Sequence, residues 1–175
     1  MVVVGIESTA HTASVGIVGE NAEVLGVASD MYRPAHGGIH PREAANHHVE
    51  VFPQLIERAL AAAQVSPREI EAVAFAQGPG LGPCLRTGAT VARTLALLWD
   101  RPLVPVNHCV AHIEIARVLS GLDDPVLLYA SGGNTQVIAY GSGRYRVLGE
   151  TLDVGIGNFL DKLWISLGGQ FPGGP

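Results

Sequence analysis

One pattern occurs twice in this chain. Residues 4–17 read VGIESTAHTASVGI and residues 128–138 read LYASGGNTQVI. In each, an apolar run enters a turn of Gly, Ser, Thr or Asn and leaves as a second run. Two strands joined by a polar turn, met twice, imply an internal repeat: two related lobes facing each other. Around the first copy, runs at 2–6, 12–18 and 23–28, with Glu20 and Asn21 as a turn, predict an antiparallel meander. The period then lengthens. Within 41–63, Val49, Phe52, Leu55, Ile56, Ala59, Leu60 and Ala63 step by three and four, which predicts an amphipathic helix. Pro53 inside it predicts a kink or a break. A strand at 70–76, a helix at 85–98, a strand at 102–106 and a helix at 108–119 follow. The order βββαβαβα fits a mixed α/β sheet with helices on both faces.

The polar turn at 121–125 marks a domain boundary, dividing a first lobe at 1–123 from a second at 124–175. The second lobe is expected to hold strands at 126–130, 135–140 and 144–148 and a helix at 152–167. Three strands and one helix leave apolar surface uncovered, so the chain reads as the N-terminal portion of a protein about twice as long. The 175 residues are 47% hydrophobic and 15% charged, which excludes a disordered chain. Eleven Lys and Arg against sixteen Asp and Glu, a net charge of −5, exclude a self-sufficient basic nucleic-acid binder. A nucleic-acid substrate would be met by a local patch or by partner subunits. Cys84 and Cys109 make no disulfide framework, no secretory leader precedes Val2, and no apolar run nears the ~18 residues of a membrane span. A soluble cytoplasmic protein is the default expectation.

Several groups of residues carry candidate chemistry. His108 and His112 are four apart in a predicted helix, so both imidazoles can reach one ion. A zinc-protease reading needs Glu directly after the first His as general base, and Cys109 stands there instead. Two histidines are too few for a metal site, so other ligands must come from elsewhere. The turn at 131–134, with paired glycines, can present backbone N–H groups to phosphate oxygens. Glu7, Ser8 and Thr9 occupy the equivalent turn of the first copy, and two such turns across a cleft would clamp a nucleotide. Asp153 and Asp161 fall in the last predicted helix, where Asp153 suits the first turn and Asp161, beside Lys162, suits a solvated face. The loop GPGLG at 78–82 either presents a helix N-terminus to an anion or lets strand and helix pack closely, and packing is favoured. His36, His40, His47 and His48 fall within thirteen positions. They are not spaced as a ligand set and read as surface or as polar lining of a cleft.

Taken together, GIESTAHT at 5–12, GGIHPREA at 37–44, GPGLG at 78–82, VNHCVAH at 106–112, SGGNT at 131–135 and FPGGP at 171–175 resemble one family. It is the TsaD/KEOPS catalytic subunit family, the tRNA threonylcarbamoyladenosine synthases, in its archaeal–eukaryotic branch. The resemblance runs from end to end. It implies an ASKHA (actin-like ATPase) fold of two RNase-H-like lobes. It implies transfer of threonylcarbamoyl from threonylcarbamoyl-AMP to the adenosine beside the tRNA anticodon. On the same ground His108, His112 and Tyr129 are metal ligands, for iron or zinc. Tyr129, Ala130, Ser131, Gly132 and Gly133 line the adenylate site, and Asp161 and Gly174 match further nucleotide positions. The family's remaining metal ligand, an Asp, falls beyond residue 175, so metal and nucleotide are expected to bind this piece weakly or not at all. Trp164 and Ile165 stand where more polar residues are expected. Glu7, or a histidine near His40, is the candidate acceptor for the proton of the adenosine amine. The implied partners are tRNA and the KEOPS-type subunits, a small kinase and a small dimerising subunit, with no membrane. The competing readings are a metalloprotease, a non-catalytic scaffold of the same fold, and a sugar or acetate kinase. The scaffold has no use for the histidines and Tyr129, and the kinase needs no such metal cluster.

Overall fold

The sheet that organises the first half is built on alternation. The structure, a computed structural model, describes residues 1–34 and 38–174. His36 and Gly37 of the motifs above, and Pro175, lie outside the described residues. Strands β1 (Val3–Glu7), β2 (Thr12–Val18) and β3 (Val24–Met31) form the expected antiparallel meander. β4 (Ala72–Gly78) and β5 (Leu103–Asn107) add parallel to β1, giving the order β3-β2-β1-β4-β5. Every second residue faces the core: Val4 pairs with Ile17 and Val73, and Ile6 with Val15 and Phe75. A one-residue slip would turn this whole set away from the core, so the pattern fixes the register.

Helices α1 (Pro41–Ala63) and α2 (Gly82–Trp99) pack against each other and against this sheet, and so share one of its faces. Phe52, Leu55 and Ala59 of α1 and Ala92, Leu95 and Ala96 of α2 complete the core. Pro53 does not break α1, which runs through it for 23 residues. The neighbours explain this: Phe52 and Leu55, each 1% exposed, anchor the helix on both sides of the proline. The buried stripe is Ala44, Ala45, His48, Phe52, Leu55 and Ala59. Val49, expected on the apolar face, is 61% exposed.

The chain divides into two units, 1–33 with 39–108, and 109–174 with Pro34 and Gly38. The division falls at the start of α3 (His108–Ser120). The second unit repeats the opening device. β6 (Leu127–Ala130), β7 (Thr135–Gly141) and β8 (Arg144–Glu150) form another antiparallel meander, followed by α4 (Ile156–Ser166). The two first turns have equal length, 8–11 and 131–134. Helix α4 starts four residues later than the periodicity predicts. Thr151 donates its hydroxyl to Asp153 at 2.9 Å and to the Val154 carbonyl at 3.1 Å, so 151–154 form a turn and Asp153 precedes the helix. No residue of α4 is fully buried, and Trp164 is 48% exposed.

Gly26 of β3 tests how tightly α1 lies on the sheet. A Cβ there would sit 2.6 Å from the Ala59 carbonyl oxygen and 2.7 Å from the Ala63 nitrogen, both backbone atoms. Gly26→Ala is expected to destabilise the fold by about 1–3 kcal/mol. Gly16→Ala, where the new carbon meets nothing within 4 Å, is expected to be neutral or to stabilise by up to about 1 kcal/mol. Urea denaturation of both variants checks this, and equal effects would refute the tight seat.

Candidate functional site

The turn at 8–11 is buried at Ser8 and Thr9 and half-buried at Ala10 and His11, and its polar groups are met from several elements. Ser8 and Thr9 are 1% and 5% exposed. The Ser8 hydroxyl donates to the Cys84 carbonyl of α2 at 3.0 Å. The Thr9 carbonyl accepts from Leu81 N–H at 2.7 Å, and the His11 carbonyl from Tyr32 N–H at 2.8 Å. The Ala10 carbonyl accepts from His48 Nε2 at 2.9 Å. Two glycines let the neighbours come this close. A Cβ on Gly80 would sit 2.5 Å from the Thr9 oxygen, and one on Gly88 2.0 Å from the Ser8 hydroxyl oxygen. The GPGLG loop therefore supplies close packing, as favoured above.

Glu7, the last residue of β1, is seated by this turn. One carboxylate oxygen accepts from Thr9 N–H at 2.6 Å, and the other lies 3.1 Å from His108 Nδ1. Burial works against its ionisation, but the bonds from His108 and Thr9 outweigh that and hold the carboxyl below its ordinary range. Because Nδ1 of His108 faces a carboxylate, it carries the hydrogen of that bond. A carboxylate behind one imidazole nitrogen, leaving the other as donor, is the arrangement that orients a metal-binding histidine.

In the second unit, His112 of α3 meets Tyr129 of β6 edge to face, ring centres 5.4 Å apart at 69°. Imidazole nitrogen and phenol oxygen suit zinc or iron. No group of three or more His, Cys, Asp and Glu with metal-binding geometry occurs among the described residues. Tyr129 and Ala130 end β6 and lead into the 131–134 turn. There the Ser131 hydroxyl donates to the Asn134 carbonyl at 3.0 Å and accepts from Asn134 N–H at 3.1 Å, while Ser131 N–H also bonds the Asn134 carbonyl. Two of the four amides are thus used inside the turn. The amides left for an anion are those of Gly132 and Gly133, both exposed. The start of α4 lies against the turn: a Cβ on Gly155 would be 2.7 Å from Asn134 N, and one on Gly157 2.9 Å from Gly132 N. Thr135 accepts from Ile156 N–H at 2.8 Å. Asp161 accepts from Gly173 N–H at 2.7 Å, which ties it to the segment carrying Gly174 and is not the fate of a solvated carboxylate. Trp164 has a packing role: a Cβ on Gly169 would lie 2.2 Å from its ring.

Sequence reasoning missed Gly88, Gly155 and Gly157, and missed that His48 is buried. His48 had a signal, since it lies four residues before Phe52 and on the same helix face. The two glycines flanking the start of α4 had one too, in their spacing.

The structure also overturns the surface reading of His48, which is fully buried. Desolvation pushes its pKa below the ordinary imidazole value, reinforced by His47 and His11 and opposed by the Ala10 bond and by Glu7. A depressed histidine contributes stability that is complete above about pH 6.5, its unfolded value, and is lost as pH falls toward its folded value. Wild-type stability is therefore expected to decline more steeply below pH ~6.5 than that of His48→Gln. Urea midpoints for the two proteins at neutral and mildly acidic pH measure this, and parallel slopes would refute it.

Comparison with known proteins locates this arrangement. The family model described as TsaD: tRNA N6-adenosine threonylcarbamoyltransferase matches residues 23–175. A tRNA N6-adenosine threonylcarbamoyltransferase of Thermofilum pendens is 54% identical over 173 residues, 99% of this chain and 52% of its own. One of Ignicoccus hospitalis is 60% identical over 161 residues, 92% of this chain and 49% of its own. A "probable bifunctional tRNA threonylcarbamoyladenosine biosynthesis protein" of Thermoplasma volcanium is 57% identical over the full 175 residues, which are 33% of that protein. The chain thus spans a third to about half the length of these relatives. Among solved structures, YeaZ from Pseudomonas aeruginosa matches with a TM-score of 0.58 at 18% identity, over 88% of this chain and 68% of that one. EutJ from Carboxydothermus hydrogenoformans matches with a TM-score of 0.57 at 16% identity, over 96% and 57%. These two likenesses bear on the fold alone, which is the actin-like ATPase (ASKHA) fold. The chain belongs to the TsaD family.

Proposed function

We propose that the protein carrying this chain is a tRNA N6-adenosine threonylcarbamoyltransferase. It transfers threonylcarbamoyl from threonylcarbamoyl-AMP to the adenosine next to the anticodon. The observation that supports this best is the family match over 23–175, in a chain that keeps His108, His112, Tyr129 and the 131–133 turn. In the reaction the adenosine N6 attacks the carbamoyl carbon. A C–N bond forms, the C–O bond to the phosphate breaks, AMP leaves, and the amine loses one proton. Glu7 is the candidate acceptor for that proton, its carboxylate being held ionised by Thr9 and His108. Tyr129, Ala130, Ser131, Gly132 and Gly133 would line the adenylate, with the Gly132 and Gly133 amides facing developing phosphate charge. Asp161 and Gly174 would complete the nucleotide side.

A single iron or zinc ion would be held by His108, His112 and Tyr129, with His108 oriented by Glu7. Such an ion polarises carbonyl oxygens. The two-lobe division near 123/124 belongs to this reading. So do cytoplasmic localisation and the KEOPS-type partners, a small kinase and a small dimerising subunit. No helix among the described residues is long and apolar enough to cross a membrane. The charge of −5 fits an enzyme whose tRNA grip is shared with other subunits. The word bifunctional in the Thermoplasma volcanium relative's name fits a second activity joined to this one.

The test supplies ATP, carbonate, labelled threonine, the adenylate-forming enzyme, partner subunits and unmodified tRNA, and counts label in tRNA. Wild-type protein is expected to transfer label. His108→Ala/His112→Ala is expected to lose at least about 100-fold, beyond what disturbing ligand support alone does. No label from wild type, with every other component proven competent, would refute the transferase reading. Full label in the double variant would refute the metal assignment.

A further inference from the structure

Buried carbonyl oxygens need donors. In the 8–11 turn, Thr9 and His11 find theirs in backbone N–H groups. Ala10 finds its donor in a side chain 38 positions away, His48 Nε2 on α1. That imidazole is 0% exposed and sits in a stripe otherwise made of Ala, Phe and Leu. An apolar residue would pack there equally well, so the hydrogen bond is what distinguishes histidine at this place.

The bond is backed by a chain of further groups. Because His48 Nε2 faces a carbonyl, it carries the hydrogen, and Nδ1 is an acceptor. His48 Nδ1 lies 3.3 Å from His47 Nδ1. His47 Nε2 lies 2.8 Å from the Asp30 carboxylate and donates there. Phe52 and His47 hold the His48 ring edge to face, at centre distances of 6.1 and 5.5 Å. Tyr32, whose hydroxyl bonds Glu43, lies beside His47, with ring centres 5.9 Å apart.

We propose that His48, backed by His47 and Asp30, is a positioning residue for Glu7. Its bond to the Ala10 carbonyl pins the 8–11 turn to α1. The pinned turn keeps Thr9 N–H on one Glu7 oxygen, and the other oxygen then reaches His108. A turn released at Ala10 carries Thr9 N–H away from that carboxylate. The consequence for catalysis rests on the transferase reading above, whereas the seating of Glu7 does not.

Two variants separate positioning from packing. His48→Leu keeps apolar bulk and removes the donor, and His48→Gln keeps a donor. Amide hydrogen exchange reads the turn directly through the N–H groups of Thr9, Leu81 and Tyr32. In His48→Leu these are expected to exchange about tenfold faster or more, the scale of one lost buried hydrogen bond. Amides pairing β1 with β4 are expected to hold their wild-type rates, and His48→Gln to restore the turn to within about threefold. Unchanged turn amides in His48→Leu, or equal acceleration of every amide, would overturn the proposal. Should His48→Leu not fold, His47→Leu replaces it, expected to accelerate the same three amides by a smaller factor, and no local change there would also overturn it. In the transfer assay with partners, His48→Leu is expected to lower kcat and leave KM for tRNA unchanged. A raised KM at constant kcat, or unchanged transfer with a loosened turn, would overturn the catalytic consequence. If wild type transfers nothing, the transferase reading fails, and Thr9 exchange alone decides whether His48 seats Glu7.

Discussion

The turn between β1 and β2 is packed against two helices, with Ser8 and Thr9 buried and Ala10 and His11 half-buried, and its carbonyls at Thr9, Ala10 and His11 find hydrogen-bond donors inside the protein. Much of the first unit is arranged around that requirement. The loop before α2 brings Leu81 N–H, the residue after β3 brings Tyr32 N–H, and α1 brings His48. The glycines at 80 and 88 carry no side chain because the turn occupies the space a Cβ would need. Glu7 inherits its place from this packing. Its carboxylate is half of the pair with His108, and a mobile turn would leave that pair unsupported.

The second copy of the strand–turn–strand device meets the same need differently. Its turn has the same length and opens on serine, as the first does. Yet Ser8 bonds outward, to Cys84, whereas Ser131 bonds back within its own turn, to Asn134. One turn is thereby fastened to its surroundings. The other fastens itself and leaves Gly132 and Gly133 exposed. The starting pattern is one, and burial on one side against exposure on the other accounts for the two outcomes.

The elements were largely legible because their signals are local. Alternation marked the strands, steps of three and four marked the helices, and polar turns marked the joints. Errors arose where distant contacts decide. Val49 and His48 are adjacent in sequence, and hydropathy favours valine for burial. The rotation of α1 on the sheet, set by Phe52, Leu55 and Ala59, buries the histidine instead. Asp153 reads as a first-turn residue, but the Thr151 hydroxyl draws it into a turn ahead of α4. Asp161 reads as solvated, and the folding back of 168–174 gives it Gly173 N–H.

By itself the sequence determined the order of strands and helices, the repeated meander and the residue types offered for chemistry. These depend on period and turn composition over a few neighbouring residues. Which group each of those residues meets was decided only in the tertiary structure. Glu7 with His108, His48 with Ala10 and Ser8 with Cys84 join positions 101, 38 and 76 apart. No local preference encodes such pairs, because they follow from how far each helix is rotated and how closely glycine lets it approach.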